Sequence, residues 1–220
     1  MKVLELFAGS RSIGKAAEDL GFEVFSSDIT DFGNGIDYVT DILNFDVNKV
    51  PFHPHIIWAS PPCTTFSIAS CSTHFTVDKK PKTEKCLNGI QMVLKTLEII
   101  EHFKPKYFYI ENPRGLLRKM DFMQDIGIRH TVTYCKYGDT RMKPTDIWHN
   151  SEWTPRPMCK NYRYDKKGEI INKHCHHESA RRGAKTGTQG IKSSKFSANH
   201  NRSKIPYELC REILESTKIN

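Results

Sequence analysis

The stretch Leu4 to Gly21, LELFAGSRSIGKAAEDLG, decides the fold. An apolar run that starts at Val3 passes through Phe7, Ala8, Gly9 and Ser10 into a helix-period pattern from Ile13 to Leu20, and Gly21 stops it. A strand feeding a helix through small residues is the opening unit of a sheet covered by helices. The small residues let a ligand approach the main chain, and a helix start favours a negative group. The turn lacks a complete G-x-G-x-x-G spacing, so by itself it fits a cofactor turn and an ordinary strand-to-helix connection equally.

The same alternation continues as far as residue 150. Short β-rich runs occur at Lys2 to Phe7, Glu23 to Ser27, Ile56 to Ala59, Tyr107 to Glu111, Thr131 to Tyr134 and Thr145 to Trp148. Leu87, Ile90, Val93, Leu94, Leu97, Ile100 and Phe103 mark one face of a long helix. The pattern predicts an α/β fold, a doubly wound and mostly parallel sheet. Ligands of such sheets bind beyond the carboxyl ends of the strands, which directs attention to the residues after Phe7, Ser27, Ala59 and Ile110. Asp28, with Ile29 beside it, ends the second strand where a carboxylate accepts from ribose hydroxyls, and Asp41, followed by Ile42, is placed to meet an adenine amino group. Either aspartate also suits a turn or a helix cap.

The 220 residues, 38% of them hydrophobic, suit one folded domain with a small appendage. The expected division is a main domain over 1–150, a small basic insert over 151–204 and a helix over 205–220, with Pro206 at its first position. The net charge of +8 is not evenly spread. Residues 1–150 hold 18 Lys and Arg against 18 Asp and Glu, while residues 151–220 hold 15 against 7. A localised basic excess beside a neutral domain is what contact with a phosphate backbone requires, and it makes Arg181 and Arg182 candidate contacts. Apolar stretches fall short of the roughly 20 residues a membrane span needs, so no membrane association is expected. The start of the chain shows no leader pattern, and the seven scattered cysteines read as reduced thiols, which points to the cytoplasm. Cys159, His174, Cys175, His176 and His177 are possible zinc ligands, but their spacing is not that of a compact finger and surface histidines explain them as well.

Two further stretches carry chemistry. In WASPPCTTFS, Trp58 to Ser67, a strand ends at Ala59 and two prolines fix the turn that presents Cys63, with Ser60, Pro61, Pro62, Thr64 and Ser67 around it. In YFYIENPRG, Tyr107 to Gly115, Glu111 and Asn112 follow an apolar strand. A thiol and a carboxyl at neighbouring strand ends form a nucleophile and an acid.

With LFAG, SPPC, IEN and YGDTRMK in that order, the chain resembles the DNA cytosine-5 methyltransferases that use S-adenosylmethionine, and specifically their short bacteriophage and prophage members. The resemblance covers about residues 3 to 148. It implies a Rossmann-like methyltransferase fold, with Phe7, Ala8, Gly9, Ser10, Asp28, Ile29, Asp41, Ile42 and Pro61 lining the cofactor. It further implies Cys63 as nucleophile, Glu111 and Arg141 holding the base, Asn112 beside them, and Ser60, Pro62, Thr64, Ser67 and Lys143 meeting the nucleic acid, Lys143 through a phosphate. Amino-group methyltransferases of similar plan carry an aromatic residue after Pro-Pro, so Cys63 argues for carbon methylation.

Carbon 5 of cytosine is a weak nucleophile. A Cys63 thiolate adding to carbon 6, with Glu111 supplying a proton or hydrogen bond to ring nitrogen 3, would make it reactive, and reaching carbon 6 requires the base to leave the stack. The segment NRSKIPYELCREIL, Asn201 to Leu214, looks like a shortened form of the element that returns to the cofactor pocket in this family. So little chain for reading a target sequence leaves room for a protein partner. Alternatives that the residues leave open are a catalytically idle DNA-binding subunit, and the same chemistry on RNA, on a nucleotide or with a modified sulfonium donor.

Overall fold

The computed structural model describes residues 1–139, 141–159, 163–164, 166–167, 170–172 and 203–218. In chain order the elements are β1 (Lys2–Leu6), α1 (Ser12–Asp19), β2 (Glu23–Asp28), β3 (Tyr38–Val39), β4 (Ile56–Ala59), α2 (Cys71–His74), α3 (Glu84–Phe103), β5 (Tyr107–Pro113), β6 (Ile128–Thr133), β7 (Pro144–His149), β8 (Arg163–Tyr164), β9 (Ile170–Asn172) and α4 (Tyr207–Ser216). The first seven strands form one sheet in the order β3-β2-β1-β4-β5-β7-β6. Strands β3, β2, β1, β4 and β5 are parallel, and β7 runs antiparallel to both β5 and β6.

Strands covered on both faces are apolar at successive positions, which is why β1 and β4 read as continuous runs. Val3, Ile56 and Trp58 face the layer of α1 and α4, where they meet Ile13, Ala16, Ala17, Leu209, Ile213 and Leu214. Leu4, Leu6, Ile57 and Ala59 face the opposite layer and meet Ile99 and Phe103 of α3. Each large aliphatic side chain so withdrawn from water contributes about 1.5–3 kcal/mol. Helices on both faces make the sheet doubly wound, as the sequence pattern requires.

Several local expectations change. Leu87 and Leu94 are 50% and 44% exposed, because the buried stripe of α3 runs through Cys86, Val93, Thr96, Ile99 and Phe103 instead. The two-residue edge strand β3 is too short to leave a periodic signal. Pro206 sits just before α4 as its N-cap, in extended backbone, rather than inside the helix.

At the N-terminus of α1 two amides are taken by the protein itself. Glu5 of β1 reaches across, and its two carboxyl oxygens accept the N–H groups of Ile13 (3.1 Å) and Gly14 (2.9 Å). A Cβ at Gly14 would lie 2.7 Å from Glu5 Oε2, so glycine is what lets the carboxylate in. Burial pushes the Glu5 pKa up to about 7 against the pull of those two N–H groups.

At the amino-terminal edge of β5, a recess of about 450 Å³ is lined by Tyr107, Ser151, Trp153, Glu212 and Ser216. Near it His149, fully buried, stacks on Tyr109 and places Nε2 3.2 Å from His130 Nδ1. Burial, aided by His130, lowers the His149 pKa to about 4. Among the described residues no helix is long and apolar enough to cross a membrane.

Candidate active site

The carboxyl ends of β1, β2, β4 and β5 converge on one edge, and β7 enters the sheet from that same edge. Beyond β4 the Trp58 indole N–H donates to Ser60 Oγ at 2.9 Å, and the Ser60 amide to Leu6 O at 3.3 Å. Pro61 is buried, Pro62 and Thr64 are exposed, and Cys63 is half-buried. The Cys63 carbonyl accepts the amides of Phe66 (3.1 Å) and Ser67 (3.0 Å), so the nucleophile candidate heads a tight turn. That turn is clamped to the exit of β5 by a bridge between Ser67 and Gly115 and by Leu116 N–H donating to Phe66 O at 2.7 Å. A Cβ at Gly115 would fall 2.3 Å from Phe66 O, which no side chain tolerates.

Strands β4 and β5 pair in parallel with Ala59 opposite Ile110, so Glu111 emerges beside the turn of Cys63. Successive strand residues point to opposite faces. Glu111, 5% exposed, turns toward Tyr134, whose phenol donates to Glu111 Oε1 at 2.8 Å. Asn112 turns the other way, and its Nδ2 donates to the Pro61 carbonyl at 2.8 Å. Asn112 therefore holds the turn that carries Cys63.

Arg141 and Lys143 each meet a carboxylate. The Arg141 guanidinium clasps the Asp139 carboxylate and reaches the Lys204 carbonyl at 3.3 Å, which ties the returning segment to the start of β7. Lys143 Nζ stands 3.7 Å from Glu111 Oε1 and 4.6 Å over the Tyr134 ring. Burial, and after it the Glu111 carboxylate, push the Cys63 thiol above its ordinary range, while Lys143 pulls it back. Cys63, Glu111, Lys143 and Tyr134 thus share one electrostatic neighbourhood.

On the cofactor side Phe7, Gly9 and Arg11 adopt left-handed backbone (φ 57°, 27° and 49°), folding the chain tightly after β1. Asp28 holds this turn, its Oδ2 accepting from Gly9 N–H at 2.9 Å and its Oδ1 from Thr30 N–H at 3.1 Å. Asp41 Oδ1 caps a short 3₁₀ turn by accepting from Leu43 N–H at 3.0 Å. Ala8 and Ile42 are buried, Ser10 Oγ lies 2.7 Å from Ser12 Oγ, and Ile29 is 62% exposed. The Ile205 amide donates to Ser12 Oγ at 3.2 Å, so the returning segment does reach this rim. A carboxylate has about four acceptor sites, so Asp28 and Asp41 keep capacity for ribose and adenine donors, and the residues fit a nucleoside cofactor.

Tyr134 and Asp139 were not legible as site residues, since a tyrosine in an aromatic run reads as core and an aspartate after a glycine reads as a turn. Exposed Lys79, Lys80, Lys82, Arg114 and Lys119 flank the clamped loop, with Lys79 Nζ donating to Lys119 O at 3.2 Å. Arg181, Arg182, His174, Cys175, His176 and His177 lie outside the described residues, and Cys159 is buried with its amide on Thr133 Oγ1. Among the described residues no group of three or more His, Cys, Asp or Glu could hold a metal ion.

The family model for C-5 cytosine-specific DNA methylases matches residues 1–126. A probable DNA (cytosine-5)-methyltransferase of Frog virus 3 (isolate Goorha) is 31% identical over 159 residues, covering 69% of this chain and 72% of the viral protein. The solved structure of the Entamoeba histolytica methyltransferase EhMeth superposes with a TM-score of 0.58 at 10% identity, covering 100% of this chain and 99% of that one. A DNMT2 structure from Spodoptera frugiperda gives a TM-score of 0.48 at 16% identity over 70% of this chain, and the match spans 53% of that protein.

Proposed function

Since the chain belongs to the C-5 cytosine-specific DNA methylase family, we propose that it transfers a methyl group from S-adenosylmethionine to carbon 5 of cytosine in DNA, through a covalent bond between Cys63 and the base. One arrangement carries this reading: the Cys63 turn and the Glu111 carboxyl emerge from paired parallel strand ends and act on each other electrostatically.

The cofactor supplies an electrophilic methyl group on a sulfonium. Phe7, Gly9, Asp28, Asp41 and Pro61 would hold it, with Asp28 on the ribose. The Cys63 sulfur bonds carbon 6 as Glu111 gives a proton to ring nitrogen 3, which pushes electrons toward carbon 5. Carbon 5 then takes the methyl group, solvent accepts the carbon-5 proton, and as the C6–S bond breaks ring nitrogen 3 returns its proton to Glu111 and the thiolate is restored. Lys143, carrying positive charge beside Glu111, is the group placed to meet the carbonyl oxygen of the base, and Arg141 supports the returning segment. A base inside a duplex cannot reach Cys63, so it is flipped out, and the exposed lysines of the loop after Cys63, with Arg114 and Lys119, would grip the backbone around it. We also place the reaction in the cytoplasm, because the odd number of cysteines, scattered without a secreted-scaffold spacing, reads as reduced thiols. We further propose that the basic insert, residues 151–204, contributes contacts to DNA, with Arg181 and Arg182 meeting phosphates, because the excess of Lys and Arg falls in this part of the sequence.

The test incubates the protein and S-adenosylmethionine with DNA and, separately, with RNA, followed by mass spectrometry of the nucleosides. 5-Methyldeoxycytidine from DNA is the expected product. Its absence while RNA is methylated would move the same chemistry to another substrate, and no product from either would defeat the reading.

A further inference from the structure

Glu111 has two oxygens, and the surrounding groups do not treat them alike. The Tyr134 phenol donates to Oε1 at 2.8 Å, and Lys143 Nζ approaches the same Oε1 at 3.7 Å. A phenol donating to Oε1 and an ammonium within ion-pair distance of it both favour negative charge on that oxygen, so a carboxylic proton is better held on the other one. The proton of a neutral Glu111 therefore rides on Oε2.

We propose that Tyr134 is a positioning residue for the methyl-transfer reaction, fixing Glu111 so that Oε2 is the oxygen that exchanges a proton with ring nitrogen 3 of the target base. The proposal rests on the function proposed above and adds to it a residue outside the SPPC, IEN and YGDTRMK stretches.

Three features fit Tyr134 for this work. Its side chain is fully buried, packed in the core with Trp58 and Leu209, so the phenol has little freedom to swing away. Its own amide donates to the Met142 carbonyl at 2.8 Å, which locks it to the strand entrance that also carries Lys143. Lys143 lies over its ring, so one side chain orients both groups that act on Oε1. Burial and the nearby Glu111 charge hold the phenol's pKa well above its ordinary value, and it remains a donor throughout the working pH range.

Tyr134→Phe removes the hydroxyl and keeps the ring, its packing and the platform under Lys143. Single-turnover methylation of cytosine DNA should slow at least tenfold, with KM for DNA and Kd for S-adenosylmethionine changing less than twofold and the thermal midpoint staying close to that of the wild type. The deciding measurement is the double variant. In a Glu111→Gln background Tyr134→Phe should cost less than twofold, because the carboxyl it orients is gone. An equal loss in both backgrounds, or a Tyr134→Phe enzyme as fast as the wild type, overturns the positioning role. A wild-type protein that methylates no cytosine overturns the functional reading itself, so the two failures are distinguishable.

Discussion

Asn112 Nδ2 donates to the main-chain carbonyl of Pro61 at 2.8 Å and so fastens the end of β5 to the turn that presents Cys63. The hydrogen bond is fully buried and joins positions 51 residues apart in the chain. Asn112→Asp replaces the donor with an acceptor facing an acceptor. Leaving buried groups unsatisfied costs about 1–3 kcal/mol each, and here it also releases the nucleophile turn. The expected result is a lower thermal midpoint together with slower trapping of 5-fluorocytosine DNA, a substrate whose carbon 5 has no removable proton. Unchanged trapping would show that the turn keeps its place without Asn112.

The thiols provide a second prediction. Cys63→Ala should abolish turnover and leave cofactor affinity nearly intact, whereas Cys71→Ala should be mild. The 5-fluorocytosine adduct should map by peptide mass spectrometry to Cys63, and an adduct on any other residue would falsify the nucleophile assignment.

Because burial and the Glu111 charge raise the Cys63 pKa while Lys143 opposes them, the pH dependence of iodoacetamide alkylation at Cys63 should move in opposite directions in two variants. Lys143→Met shifts the profile to higher pH, and Glu111→Gln shifts it to lower pH. Shifts of the same sign would contradict the arrangement.

Stability should contain two opposed pH slopes. Glu5 holds its proton more tightly when folded, so its contribution is complete below the ordinary glutamate pKa of 4.5 and is lost as pH rises to about 7. His149 holds its proton less tightly when folded, so its contribution is complete above the ordinary 6.5 and is lost as pH falls to about 4. Each slope is about 1.4 kcal/mol per pH unit, and between pH 4.5 and 6.5 they cancel. Urea unfolding of His149→Gln should reveal stability falling with pH across this window relative to the wild type, and Glu5→Gln should reveal the reverse. Parallel curves for all three proteins would mean that neither group titrates as its burial requires.

Neutralising Lys79, Lys80, Lys82 and Lys119 together should weaken binding to all DNA sequences and flatten its salt dependence, by about 0.9 in log-log slope for each phosphate that no longer meets a lysine. Fluorescence titrations at several salt concentrations check this. Equal slopes for wild type and variant would place the backbone grip elsewhere on the molecule.

The framework of the fold was legible because β1 and β4 are buried on both faces and α1 begins immediately after a Gly-Ser turn. The thiol and the carboxyl at neighbouring strand ends were legible for the same reason, since parallel pairing places consecutive strand exits side by side. The contacts of Arg141 and Lys143 were not, because they depend on Asp139 capturing the arginine and on the direction of β7, neither of which has a one-dimensional signature. The occupied start of α1 escaped too. Nothing in the sequence says that Glu5, inside a strand, reaches the amides of Ile13 and Gly14.

Because β7 arrives where the other central strands depart, Cys63, Glu111, Tyr134 and Lys143 lie toward one rim, and the recess beside Tyr107, Trp153 and Glu212 lies on the other. The two rims are separated by the length of the strands, with packed apolar side chains between them. For protein engineering the molecule therefore offers a working end and a handle. Fusions, fluorophores or surface anchors introduced around Glu152 and Thr154 would leave the path to Cys63 clear.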